Sequence, residues 1–207
     1  MSAVSCDWDL GARTLAERDP VMAAMIAHAG EARLTSRGDA FLTLARSIVG
    51  QQISVKAADT VWGRLCERVD PLLPQHLVAV GIDGLVGCGL SQRKMLYLDE
   101  LARGFLSGAL QPESWRGMDD DSVIRVLCEI RGIGRWTAEM FLIFNLQRPD
   151  VFPLDDVGLQ RAVAQSYCAG VKPTRAELQA LGERWRPWRS LATWYLWRDL
   201  DPVPVAY

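Results

Sequence analysis

Little in this chain suits a metal, a membrane or a polybasic surface. Its five cysteines stand at positions 6, 66, 88, 128 and 168, so it has no Cys-x-x-Cys pair and none of the four-cysteine runs that hold iron–sulfur clusters. The two histidines, His28 and His76, are too far apart in sequence for metal-ligand spacing, and no metal is expected. No apolar run reaches the ~18 residues needed to span a bilayer, and no secretory pattern opens the chain. A cytoplasmic location with reduced thiols is expected. Neither sign of charge dominates: 23 Lys and Arg meet 25 Asp and Glu, for a net charge of −2. The isoelectric point near 5.7 excludes a wholly basic coat but leaves room for a local basic face. Alternating strand patterns, fixed-period repeats and Gly/Ser-rich or Pro-rich linkers are also missing.

What is present is ordinary globular material. The chain has 207 residues, 49% of them apolar and 23% charged. A chain of this length buries roughly 70% of its unfolded surface, enough for a core without staples, in one large or two small domains. Apolar spacing is helical nearly everywhere. From Asp39, an N-cap, the residues Phe41, Leu44, Ala45, Ile48 and Val49 recur at three and four. Ser54 caps a second run with Ala57, Ala58, Val61, Trp62 and Leu65 inward. Ser91 opens a third, with Met95, Leu98, Leu101, Ala102 and Phe105 on one stripe. Asp121 precedes a fourth through Val123, Val126, Leu127 and Ile130. Thr174 to Glu177 reads as a capping box, and Pro187 suits the first turn of a last helix. Trp185, Trp188 and Trp194 are expected to pack the last helices together. The predicted fold class is all-α.

The sharpest local signal runs from Ile130 to Ala138. A helix ends at Ile130, a turn Gly132-Ile133-Gly134 follows, and a second helix begins near Arg135. Glycines let the backbone take positive φ and let a ligand approach without a Cβ in the way. The helix that follows points its unpaired N–H groups at the turn, which suits an anion such as a backbone phosphate. Gly-x-Gly alone fits a tight helix–helix turn with a glycine C-cap better than a phosphate site.

Twenty residues after Trp136 comes Asp156, inside Val151-Phe152-Pro153-Leu154-Asp155-Asp156. The hairpin, this segment and their separation resemble the helix–hairpin–helix superfamily of DNA glycosylases. Within it the chain is most similar to the DNA-3-methyladenine glycosylase II branch, which serves alkylation repair. Three further stretches agree: Ile48-Val49-Gly50-Gln51-Gln52-Ile53-Ser54, Gly89-Leu90-Ser91-Gln92-Arg93-Lys94 and Arg184 to Ser190. The likeness spans about residues 20 to 198.

The resemblance implies a two-lobed fold with the active-site cleft between the lobes and without the N-terminal β domain of larger relatives. Residues 40–148 would form a helical lobe with the wedge loop and hairpin; 1–39 plus 149–207 would form the second, carrying the catalytic Asp. It implies monofunctional hydrolysis of the N-glycosidic bond of alkylated bases (3-methyladenine, 7-methylguanine) in duplex DNA, by base flipping, in base excision repair. Asp156 would stabilise the oxocarbenium-like sugar, with Asp155 capping or orienting. Trp136 stands where bifunctional relatives carry a Schiff-base Lys, and would instead wall a base pocket with Gln51, Met140 and Trp197. Its indole face would attract a cationic alkylated base. Gln52 would be the wedge that fills the hole left by the flipped base. Gly132, Ile133, Gly134 and Thr137 would hold a DNA phosphate, and Arg93 and Lys94 could contact others. No cofactor is implied; a monovalent cation at the hairpin stays open. The expected partner is double-stranded DNA containing alkylated bases, engaged by a monomer in a bacterial cytosol or nucleoid. Between Arg161 and Tyr207, seven Lys and Arg against four Asp and Glu suggest a DNA-facing excess of positive charge. Two alternatives remain at this point: a glycosylase for oxidised or mismatched bases, and a non-catalytic DNA-binding protein that kept the hairpin.

Overall fold

The computed structural model describes residues 7–36 and 38–200; Cys6 lies outside them. Among the described residues there are twelve helices and no strand. In chain order they are α1 (Trp8–Arg18), α2 (Pro20–Ala29), α3 (Ala40–Gly50), α4 (Val55–Arg68), α5 (Pro74–Gly84) and α6 (Gln92–Leu106). The series continues with α7 (Pro112–Trp115), α8 (Asp120–Cys128), α9 (Arg135–Phe144), α10 (Val157–Tyr167), α11 (Arg175–Arg184) and α12 (Arg189–Leu200). The described residues form two compact units, and the division falls within α9: residues 7–36 with 142–200, and residues 38–141.

The caps explain most helix starts. Asp39 Oδ1 accepts from Leu42 N at 2.8 Å, Ser54 Oγ from Ala57 N and Ser91 Oγ from Lys94 N, each at 3.3 Å. The Thr174–Glu177 capping box forms in both directions. Two starts differ from expectation. The cap of α8 is Asp119, whose carboxylate takes the N–H and hydroxyl of Ser122, so Asp121 lies inside the first turn. There its charge suits the positive end of the helix. The last helix begins at Arg189, two residues beyond Pro187.

In the unit holding residues 38–141, α6 packs on α5 and α3, and α3 on α4. The α6 stripe is buried at Met95, Leu98, Leu101 and Ala102, whereas on α4 only Leu65 is fully buried. The rest of that predicted inner face is half covered. Edge-to-face aromatic contacts run from Phe41 to Phe105 to Trp115 to Phe141, at centroid distances of 5.5, 6.4 and 5.4 Å.

The unit holding residues 7–36 and 142–200 has its own core. Leu15, Met22, Leu159, Val163, Leu178, Leu191 and Leu196 pack with Trp185, Trp188 and Tyr195, and Trp194 lies half-buried against them. These tryptophans pack as expected. Polar side chains enter it as well, Asp19 among them. Asp19 is both the C-cap of α1 and the N-cap of α2, and is 2% exposed. No helix among the described residues is long and apolar enough to cross a membrane.

Candidate functional site

One candidate element is the hairpin between α8 and α9. Gly132 sits at φ 87°, and a Cβ there would collide with the ring of Tyr97. Both facts require glycine. Ile133 is 4% exposed and anchors the turn in the core. Gly134 is exposed, a Cβ on it would meet nothing within 4 Å, and its carbonyl takes the first helical bond of α9, from Ala138 N at 3.0 Å. Gly134 thus faces open space and puts no side chain at the cap position of α9. Thr137 is buried in the first turn, Trp136 is half-buried beside it, and Met140, one turn on, is 3% exposed.

Next to the hairpin stands the turn after α3. Gln51 caps the C-terminus of that helix, and its amide Nε2 donates to Gly132 O at 2.6 Å. The structure therefore ties this turn to the hairpin through Gln51. Gln52 is exposed and takes φ 59°, a left-handed conformation costing a non-glycine residue about 1–2 kcal/mol. Lys94 is not the open phosphate contact considered above. Its Nζ donates to Val49 O and Gln51 O, both at 2.7 Å.

A separate candidate element lies at the start of α10. The segment before it is bolted to α12: Arg189 pairs with Asp150 through Nε at 2.7 Å, and Val151 N donates to Ser190 Oγ at 2.9 Å. Two helical turns further along α12, Trp197 donates its indole N–H to Asp156 Oδ1 at 2.8 Å. The same oxygen accepts from Leu159 N at 2.6 Å, so Asp156 is the N-cap of α10. The capping role expected of Asp155 is therefore corrected. Asp155 is exposed and pairs with Arg175, while the residue expected to be catalytic does the capping. Asp156 is 7% exposed. The Trp197 ring stacks on Phe144, with centroids 5.8 Å apart and 12° between planes. A Cβ on Gly158 would come within 3.1 Å of Asp156 Oδ1 and 3.3 Å of Trp197 Nε1. Glycine at 158 leaves room for this pairing. Phe144 and Gly158 were not anticipated, although a glycine in the first turn of a helix, where it costs stability, was a usable signal.

Part of the expected charge excess after Arg161 is paired with carboxylates of the same chain. Arg175 pairs with Asp155, Arg184 lies 3.6 Å from Asp19, Arg186 pairs with Asp150 and Glu183, and Arg189 pairs with Asp150. Several of these carboxylates lie outside the counted stretch, which is why sequence counting missed them. Among the described residues no group of three His, Cys, Asp or Glu side chains could hold a metal ion.

The described residues thus form an all-helical fold in which a Gly-x-Gly hairpin opens α9 and a capping aspartate stands twenty residues after Trp136. Residues 45–187 match the family model described as HhH-GPD superfamily base excision DNA repair protein. The chain is 33% identical over 176 residues to DNA-3-methyladenine glycosylase 2 of Escherichia coli, covering 80% of this chain and 59% of that protein. It is 30% identical over 170 residues to DNA-3-methyladenine glycosylase 1 of Schizosaccharomyces pombe, covering 80% of this chain and 75% of that one. A putative DNA-3-methyladenine glycosylase of Bacillus subtilis is 31% identical over 164 residues, and the chain spans 57% of its length. The crystal structure of a DNA-3-methyladenine glycosidase from Bacillus halodurans superposes with a TM-score of 0.84 at 34% identity, covering 97% of this chain and 92% of that one. The chain belongs to the HhH-GPD superfamily of base excision DNA repair proteins, among its 3-methyladenine DNA glycosylases.

Proposed function

We propose that the chain hydrolyses the N-glycosidic bond of alkylated purines such as 3-methyladenine and 7-methylguanine in double-stranded DNA. It acts as a monomer without a cofactor and leaves an abasic site. The observation that carries the reading is Asp156: a nearly buried carboxylate whose Oδ1 is fixed by the N-terminus of α10 and by the Trp197 indole. As the base departs, positive charge grows on the deoxyribose. A carboxylate held in place stabilises that charge without reorganising, and can orient the attacking water. Trp136 replaces the Schiff-base Lys of bifunctional relatives, which favours simple hydrolysis. Its half-exposed indole suits a flat cationic base. Gln52 enters the space vacated in the duplex. The likeness to the Schizosaccharomyces pombe glycosylase solved in complex with abasic DNA supports this reading; its TM-score is 0.77 at 27% identity, over 91% of this chain.

Incubation with methylated duplex DNA is expected to release free 3-methyladenine and 7-methylguanine. Release of neither, with the duplex still bound, would sink the substrate assignment.

The hairpin's two glycines separate fold from grip. Gly132→Ala is expected to lower stability by about 1–3 kcal/mol, because it strains the backbone and drives Tyr97 aside. Gly134→Ala is expected to cost no more than about 1 kcal/mol of stability yet bind unmodified duplex several-fold more weakly, because it adds a methyl group to the exposed hairpin backbone that a phosphate would approach. Thermal unfolding and a fluorescence-anisotropy titration of both variants check this; equal binding by Gly134→Ala would remove the hairpin from the DNA contact.

A further inference from the structure

Lys94 stands in the first turn of α6, where a cation opposes the positive end of its own helix. Its ammonium is spent on α3 instead. Val49 O lies in the last turn of α3 and Gln51 O at its C-cap, the end where carbonyls lack helical partners and a cation is favourable. Burial pushes the Lys94 ammonium below its ordinary pKa. Two charge-assisted hydrogen bonds offset that desolvation.

The Gln51 carbonyl belongs to the peptide group that joins Gln51 to Gln52. Holding it sets the plane from which Gln52 departs, and Gln52 then takes its left-handed φ, a conformation glutamine adopts when its surroundings impose it. From the other side the Gln51 amide fastens the same turn to Gly132 O. Gln52 itself remains exposed.

We infer that Lys94 is a positioning residue for the wedge: by clamping the carbonyls of Val49 and Gln51 it keeps Gln52 in the conformation that enters the space left by a flipped base. This rests on the assignment of Gln52 in the proposed function. A lysine acting this way matters where an opposite strand leaves a hole to fill. It matters little when the same lesion lies in a single strand.

The test compares Lys94→Met, Gln52→Ala and the double variant on one methylated sequence, as duplex and as single strand, with thermal unfolding of each. Lys94→Met is expected to lower duplex kcat/KM about tenfold, part of the cost of unstacking a base step. Single-strand turnover should stay within about twofold, and the double variant should be no worse than Gln52→Ala within the same margin. Equal losses on both substrates, or an additional loss on top of Gln52→Ala, would overturn the inference and make Lys94 a phosphate contact or a stability element. A Gln52→Ala loss with undiminished Lys94→Met turnover overturns it alone. Full duplex turnover by Gln52→Ala removes the wedge assignment and this inference together. If Lys94→Met does not fold, Lys94→Gln, which can still donate to one carbonyl, is measured the same way, with the same duplex-selective loss expected.

Discussion

Asp156→Asn is expected to lower base release from methylated duplex by about 10²- to 10⁴-fold while the protein melts at its usual temperature. The substitution isolates charge from structure. Asn is as good an N-cap as Asp, so its side-chain oxygen can still accept from Leu159 N and from the Trp197 indole. The negative charge that meets the oxocarbenium-like sugar is lost. Asp156→Ala confounds the two effects, because it also removes the cap, worth about 1 kcal/mol. Trp197→Phe sharpens the point: it keeps an aromatic ring against Phe144 and removes the N–H that holds Oδ1. Its loss should fall in kcat, with KM little changed, since the carboxylate keeps its charge but not its aim. Single-turnover base release on a defined lesion measures all three. Full activity of Asp156→Asn would refute the charge-stabilisation mechanism.

How far these assignments could be read from the sequence depended on the range of the interactions. Helix starts at Asp39, Ser54, Ser91 and Thr174 were legible because a cap bonds within three residues. The Gly-x-Gly turn and the aspartate twenty residues after Trp136 were legible as a linear pattern. What was misread depended on partners far along the chain. Asp155 and Asp156 are equivalent as local capping candidates. The difference between them is set by Arg175, twenty residues away, and Trp197, forty-one residues away. Lys94 looked like a surface cation because nothing local shows that it reaches carbonyls more than forty residues back. The hydrogen bond from Gln51 to Gly132 likewise had no local signal, because it spans eighty-one positions. In the run Asp119-Asp120-Asp121 each residue could cap, and the first does so, taking both the N–H and the hydroxyl of Ser122.

Asp19→Ala is expected to be among the most damaging single changes to stability, at about 3–5 kcal/mol, although Asp19 touches neither the hairpin nor Asp156. The reasoning starts from Asp19-Pro20, a junction with no spare residue between two helices. Asp19 N donates to Leu15 O at 3.0 Å and closes α1, and its Oδ1 accepts from Val21 N at 3.0 Å and opens α2. Its other oxygen accepts from the Tyr167 hydroxyl at 3.0 Å and the Trp185 indole N–H at 3.1 Å, with Arg184 at 3.6 Å. Burial, reinforced by the Asp19 charge, pushes the Tyr167 hydroxyl well above its ordinary pKa, so it stays a donor throughout the working pH range. Alanine would leave the hydroxyl and the indole N–H without that acceptor, each costing about 1–3 kcal/mol, and would remove a cap. For a chain of this size the sum corresponds to a fall in Tm of roughly 10 °C. Asp19→Asn should cost less, since it keeps an acceptor for the α2 cap but turns an NH₂ toward two donors. Thermal and urea unfolding of both variants check the ranking. If Asp19→Ala melted within a degree or two of the wild type, the network would be hydrated rather than structural. Base release per folded molecule should be unchanged in either variant below its melting range, because the damage lies in how α1, α2, α10 and α11 are held together and not in the chemistry at Asp156.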